Sequence, residues 1–212
     1  MLDRRLLNAL SPALRRVALS LARRGIGADT VTWFGFGAGM ACAVLIALGH
    51  PLFGLALMGI GRLADGLDGA LARQTRTTDR GAFLDIALDF VFYASVPLAF
   101  ALADPARNAL PAAVLLTAFM ATASSFLAFS VMAERRGLAS TAHPGKGLVY
   151  LGGLTEGAET LACFAAMCLW PHWFGALAYG FAALCGLTWL TRLYAGWTQL
   201  RDAPVADVAL PL

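Results

Sequence analysis

The sequence predicts an all-α integral membrane protein, with six transmembrane helices preceded by an N-terminal amphipathic helix in the membrane interface. Three observations lead there. Hydrophobic residues make up 59% of the 212 and charged residues only 14%, against roughly a quarter charged in a soluble domain, and mean hydropathy is +0.69. Six apolar runs, near residues 30–49, 52–73, 82–103, 110–133, 147–170 and 173–196, each approach the ~20 residues a helix needs to cross the hydrocarbon core. No long segments of alternating polarity occur, which excludes strands as the spanning elements. The chain divides into an interfacial helix over 1–26, a six-helix membrane domain over 27–201 and a short tail over 202–212, with no internal repeat.

In the first 26 residues Leu6, Leu10, Leu14, Val17 and Leu21 recur at spacings of three and four, and Arg4, Arg5, Arg15, Arg16, Arg23 and Arg24 fill much of the rest. That pattern suits a helix lying along a membrane surface. Ser11 and Pro12 are predicted to open its main part as N-cap and first residue, and Gly25 to close it. Arginines break the apolar region and no small-residue cleavage site follows, so a secretory signal is not expected. Asp29 precedes the first span, where it is expected as an N-cap. Ser124 and Ser125 in span four are expected to bond a neighbouring helix. Gly152, Gly153 and Gly157 in span five are expected to permit close packing, and Trp170 and Trp173 to form an interfacial aromatic belt. The four cysteines, Cys42, Cys163, Cys168 and Cys185, all lie in apolar runs and read as buried small hydrophobes. His50, His143 and His172 are too scattered for a histidine metal site.

The functional interest lies between Asp65 and Asp89. A carboxylate inside a membrane-length segment costs about 2.5–3.5 kcal/mol on insertion scales, so it normally faces a polar site and a partner. Four occur here. Asp65 and Asp68, with Gly69 and Ala72, fall on one broad face of span two, with Arg62 on the same face and Arg73 at its edge. Asp85 and Asp89 are one turn apart on span three. The link from Gln74 to Arg80 is short, which predicts that spans two and three are antiparallel neighbours whose carboxylates converge. Like charges this close require compensation. Hard divalent cations, Mg²⁺ or Mn²⁺, suit an all-oxygen site, and a pair of them forms a clamp for in-line attack on phosphorus. Gly69 and Gly81 leave room for a bulky ligand such as a nucleotide, and Arg73 offers a fork for phosphate. Arg62 has two readings of equal weight, donor phosphate contact or neutraliser of Asp65.

The pattern D-x2-D-G-x2-A-R-x7-G-x3-D-x3-D, made by Asp65, Asp68, Gly69, Ala72, Arg73, Gly81, Asp85 and Asp89, resembles the signature of the CDP-alcohol phosphotransferases (the CDP-alcohol phosphatidyltransferase family). Every fixed position of that signature is present, and the six-span layout and N-terminal helix are also similar. The resemblance implies attack by an alcohol on the β-phosphorus of a CDP-linked donor, commonly CDP-diacylglycerol, with release of CMP. It implies Asp65, Asp68 and Asp85 as ligands of two ions, and Asp89 as a further metal-site residue and general base. It implies Gly69, Ala72, Arg73 and Gly81 as CDP-binding positions, with Asp29 near the nucleotide. It also implies a homodimer working in phospholipid synthesis among membrane lipids. Nothing points to nucleic acid. The rival reading is a transporter that carries divalent cations or protons on the intramembrane aspartates; release of CMP separates the two.

The acceptor is less defined. Relatives that use glycerophosphate tend to carry basic residues inside span four, and here Arg135 and Arg136 come only at its end. Lys146 stands at the start of span five. Glu156 and Glu159, within that span, favour a polyol or a cationic amino alcohol if they line the acceptor pocket. The alternative is that Thr155, Thr160 or a neighbouring helix satisfies them.

Orientation follows from the basic residues. With the N-terminus in the cytoplasm, that side collects the six N-terminal arginines, Arg73, Arg76, Arg80, Arg135, Arg136, Lys146, Arg192 and Arg201, and the other side only Arg107. Both termini and the active site are therefore expected at the cytoplasmic face, in a bacterial inner membrane. Cysteine labels placed at Thr77 and Gly137 should react only from the cytoplasmic side, and one at Asn108 only from outside. The reverse labelling pattern would put the aspartates on the wrong face for a CDP-lipid.

Overall fold

A computed structural model describes residues 2–136 and 154–200. They form α1 (Leu2–Arg23), α2 (Ala28–Ala47), α3 (Pro51–Gln74), α4 (Asp79–Ala103), α5 (Pro105–Arg135), α6 (Gly157–Leu169), a 3₁₀ turn at Pro171–Trp173 and α7 (Phe174–Gln199). No strand occurs among the described residues. Four segments are long and apolar enough to cross a membrane: α2, α4, α5, and α7 together with the turn before it. Their large side chains point outward as well as inward; Leu110 and Met120 on α5 are 68% and 70% exposed, which in water would be a large unfavourable apolar surface. α3 is as long, but Arg62, Asp65, Asp68 and Arg73 interrupt its apolar character, and α6 has only 13 described helical residues.

Several boundaries depart from expectation. α1 runs from Leu2 through Pro12 without stopping. The leucine spacing continues across the proline, so the apolar stripe prevails over the lost backbone hydrogen bond. The cap of α2 is Gly27, and Asp29 lies in the first turn, where the helix dipole favours a carboxylate. Ser124 and Ser125 donate back to the carbonyls of Ala121 and Thr122 in their own helix, at 3.1 and 2.9 Å, rather than to a neighbour. The expected continuous span 147–170 is also corrected. Helix α6 begins at Gly157, with Glu156 as its N-cap. Glu159 accepts the Glu156 backbone N–H at 3.2 Å and the Thr160 hydroxyl donates to the Glu156 carbonyl at 2.9 Å, so these groups serve the helix start. Lys146, His143, Gly152, Gly153, Arg201 and the tail 202–212 lie outside the described residues.

α2 is the hub. It packs on both α3 and α4, whereas α3 and α4 are not closely packed on each other. The short link was expected to make them direct neighbours. Instead the acidic faces of both helices stand beside α2, with a cleft between them. Small residues permit the α2–α3 contact. A Cβ built on Gly35 would lie 3.1 Å from Ala64 Cβ and 3.2 Å from the Gly61 carbonyl, and one on Gly61 would lie 3.0 Å from the Gly35 carbonyl. On the α4 side, a Cβ on Gly39 would come within 2.7 Å of the Phe92 ring.

Two apolar cores result. The larger joins α2 to α7 and includes Met58, Phe92, Phe119, Phe164 and Phe181, whose rings meet edge-on around Phe164 and Phe119. The smaller joins Ala18 of α1 to Val31 and to Ala64, Ala70 and Leu71 of α3. Along α3, Asp65 and Asp68 fall within the stretch from Ala64 to Leu71 that supplies the smaller core. Exposed Arg15, Arg16 and Arg23 flank the buried side of α1.

Gly61→Ala should destabilise the protein by about 1–3 kcal/mol, the usual cost of overpacking where backbone must move. Gly59→Ala, on the same helix with nothing within 4 Å of the added Cβ, should be neutral or slightly stabilising. Thermal unfolding in detergent checks the pair, and equal effects would remove the α2–α3 contact as the cause.

Candidate active site

Three carboxylates converge from two helices. Asp65 and Asp68 come from the C-terminal half of α3 and Asp85 from the N-terminal half of α4, and one oxygen from each lies within 4.8 Å of the others. The spacing of three on α3 turns both of its aspartates toward the cleft. This donor set, all oxygen and all anionic, fits a hard divalent cation such as Mg²⁺ or Mn²⁺. Without positive charge between them the three would repel strongly.

The flanking residues hold the carboxylates in place. The Thr32 hydroxyl of α2 has two acceptors for its one hydrogen, Asp68 Oδ2 at 2.5 Å and the Ala28 carbonyl of its own helix at 3.1 Å; the carboxylate is the nearer and charged one. Arg62 Nη1 donates to Asp89 Oδ1 at 2.7 Å and stands 3.8 Å from Asp65 Oδ1. Asp89 therefore lies outside the trio, in a cleft lined by Thr32, Gly35, Phe36, Arg62, Asp65, Asp85, Leu88 and Asp89.

The expected nucleotide positions form two further groups. At the end of α3, Arg73 folds back so that a Cβ on Gly69 would lie 3.3 Å from its Nη1, and Ala72 follows in the same turn. At the start of α4, the Thr78 hydroxyl accepts the Gly81 N–H at 3.1 Å, and a Cβ on Gly81 would be 3.5 Å from Asp29 Oδ1. Asp29 is itself paired with Arg80. Each glycine thus lets a side chain come close to its backbone, Arg73 at Gly69 and both Thr78 and Asp29 at Gly81.

Sequence reasoning missed three features. One is Thr32, whose register with Gly35 and Gly39 puts it on the buried face of α2. Phe92 carries the guanidinium of Arg62 on its ring, 4.5 Å from the centroid, and nothing in its sequence context signals this. Arg192 was counted as a surface charge, yet it is 8% exposed, donates to the Thr122 carbonyl of α5 at 3.3 Å and lies 5.7 Å from the Phe126 ring. Nearby on α7, buried Thr188 accepts the Thr155 N–H and hydroxyl at 3.2 and 3.0 Å. A positive charge therefore reaches span four from α7.

Together these features define a helical membrane protein with a cluster of aspartates that could hold a metal ion. The chain belongs to the CDP-alcohol phosphatidyltransferase family, whose model matches residues 26–194. It is 46% identical over 202 residues to the inner membrane protein YnjF of Escherichia coli, covering 95% of this chain and 98% of that one. A shorter match, 38% over 86 residues, is to the archaetidylinositol phosphate synthase of Methanothermobacter thermautotrophicus, covering 40% of this chain and 44% of that one. The fold is similar to that of the Mycobacterium tuberculosis phosphatidylinositol phosphate synthase crystallised with CDP-DAG, with a TM-score of 0.73, 24% identity and coverage of 91% and 98%. The same enzyme with manganese and citrate gives a TM-score of 0.68 at 24% identity, covering 90% of this chain and 93% of that one.

Asp65→Asn, Asp68→Asn and Asp85→Asn should each weaken Mn²⁺ binding, read by electron paramagnetic resonance of the purified protein. Each should remain folded, because removing one of several repelling charges does not harm packing. Wild-type Mn²⁺ affinity in all three variants would remove the trio as the site.

Proposed function

We propose that this protein transfers a phosphatidyl, or similar substituted phosphoryl, group from a CDP-linked donor to an alcohol and releases CMP. The observation that carries this reading is the convergence of Asp65, Asp68 and Asp85 within a complete family signature. CDP-diacylglycerol is the favoured donor, because a relative of the same fold was crystallised with it. Two divalent ions, Mg²⁺ or Mn²⁺, are proposed in the aspartate site, and the manganese found with a relative supports the choice. Bound there, they would neutralise the pyrophosphate and the charge that develops on the leaving phosphate.

The chain's own groups supply the rest. Arg73, with the space beside Gly69 and at Gly81, is suited to gripping the CDP moiety. Asp89 is proposed to accept the proton of the acceptor hydroxyl. The hydroxyl oxygen forms a bond to the β-phosphorus, the bond from that phosphorus to the bridging oxygen breaks, and CMP departs with that oxygen. Two copies of the chain in the bacterial inner membrane, six spans in each, and a cytoplasmic site complete the proposal. They rest on the family resemblance, the six helices that follow α1 and the arginine distribution.

The test is purified protein with CDP-diacylglycerol, Mn²⁺ and a panel of acceptors that includes uncharged polyols, amino alcohols and sugar or glycerol phosphates, with CMP release as the readout. Cation movement across vesicles without CMP would favour the transporter reading instead. Asp89→Asn should still bind the CDP-lipid while turnover falls by about 10²–10⁴, the usual share of a general base. Loss of donor binding in parallel would make Asp89 chiefly a metal ligand.

A further inference from the structure

Arg62 is held more tightly than a phosphate-binding arginine needs to be. It sits one turn before Asp65 on α3, with its side chain 16% exposed. Its Nη1 donates to Asp89 Oδ1 at 2.7 Å, and its Cζ lies 4.5 Å from the centre of the Phe92 ring and 6.0 Å from that of Tyr93. Its Nε is buried without a partner among the described residues. Both grips come from α4, because Asp89 and Phe92 are three residues apart and share a face. One face of the guanidinium is committed to the ring and one edge to the carboxylate. Swinging toward a donor phosphate would break both contacts in a place where water replaces neither readily.

We infer that Arg62 is a positioning residue for Asp89, and not a contact for the donor phosphate. The inference rests on the proposed role of Asp89 as the proton acceptor. With Oδ1 engaged by the guanidinium, Oδ2 is the oxygen directed to the acceptor hydroxyl, in the cleft that Asp89 shares with Asp65 and Asp85. The support extends further. The absent side chain of Gly39 makes room for Phe92, Phe92 carries the guanidinium, and the guanidinium aims the carboxylate. A lysine could restore the charge and one hydrogen bond, but not the flat stack or the fixed fork.

The test measures turnover, KM for the CDP-lipid and Mn²⁺ affinity in Arg62→Met, Arg62→Lys, Asp89→Asn and the Arg62→Met/Asp89→Asn double variant. Arg62→Met keeps an apolar stem over Phe92 while removing the donor. Its turnover should fall about 10–100-fold, the usual effect of losing a residue that orients a functional group. Its KM for donor should be unchanged, and Mn²⁺ affinity unchanged or higher, since a competing positive charge has gone. Arg62→Lys should recover part of the turnover, which a merely structural role for the stem would not produce. In the Asp89→Asn background, Arg62→Met should cost nothing further. A raised donor KM at constant turnover would overturn the inference and make Arg62 a phosphate ligand, and additive losses in the double variant would overturn it as well. If Arg62→Met does not fold, Arg62→Lys decides, and a folded lysine variant whose donor KM alone rises overturns the inference. Loss of turnover in Asp89→Asn with full turnover in Arg62→Met would sink only the positioning role. Full turnover in Asp89→Asn would remove the base assignment itself.

Discussion

The close approach of α2 to α3 is the contact on which the rest of the site depends. It exists because Gly35 and Gly61 have no side chains to separate the two backbones. One turn before Gly35 it presents the Thr32 hydroxyl to Asp68. At the next turn it leaves space at Gly39 for Phe92, which brings α4 in from the other side. A single helix with small residues on its inner face thus sets the positions of acidic groups on two others. In a membrane, where apolar side chains gain little by leaving lipid for protein, close backbone packing of this kind is a main source of helix association.

Against that attraction stands the repulsion of the aspartates. α3 and α4 carry like charges on facing surfaces, and their backbones make few close contacts. A cleft lies between those surfaces. Arg62 crosses it to Asp89, and Arg80 reaches from the start of α4 to Asp29. Arg62 also stands 3.8 Å from Asp65, so its single charge is shared between two carboxylates. The net charge of the cleft remains negative, which suits it to an added cation.

The helices were legible because apolar runs of membrane length have few alternative structures; three of the six predicted runs fall wholly inside observed helices and two more overrun theirs by one or two residues. The central trio was legible because Asp65, Asp68 and Asp85 combine helical spacing with a costly location. What was hidden depends on tertiary contact. That α2 stands against both acidic helices does not follow from the short link Gln74–Arg80, which constrains only the ends it joins. The burial of Arg192 against α5 was hidden because an arginine near the end of an apolar run reads as a surface charge unless the neighbouring helix is known. Glu156 and Glu159 were placed within a continuous span, yet they stand at a helix start; their three-residue spacing fits a capping box as well as a ligand pair, and the extended backbone at Glu156 that starts the helix there is not signalled in the sequence.

The sparse contact between α3 and α4 has a thermodynamic consequence. Two of the three clustered carboxylates belong to one of these helices and the third to the other. A cation shared by them would act as a cross-link where side-chain packing supplies little. Its binding energy would then appear in the folding equilibrium of the whole bundle. The melting temperature of this protein would accordingly be a property of the solution as much as of the chain, rising with free cation and falling under chelation.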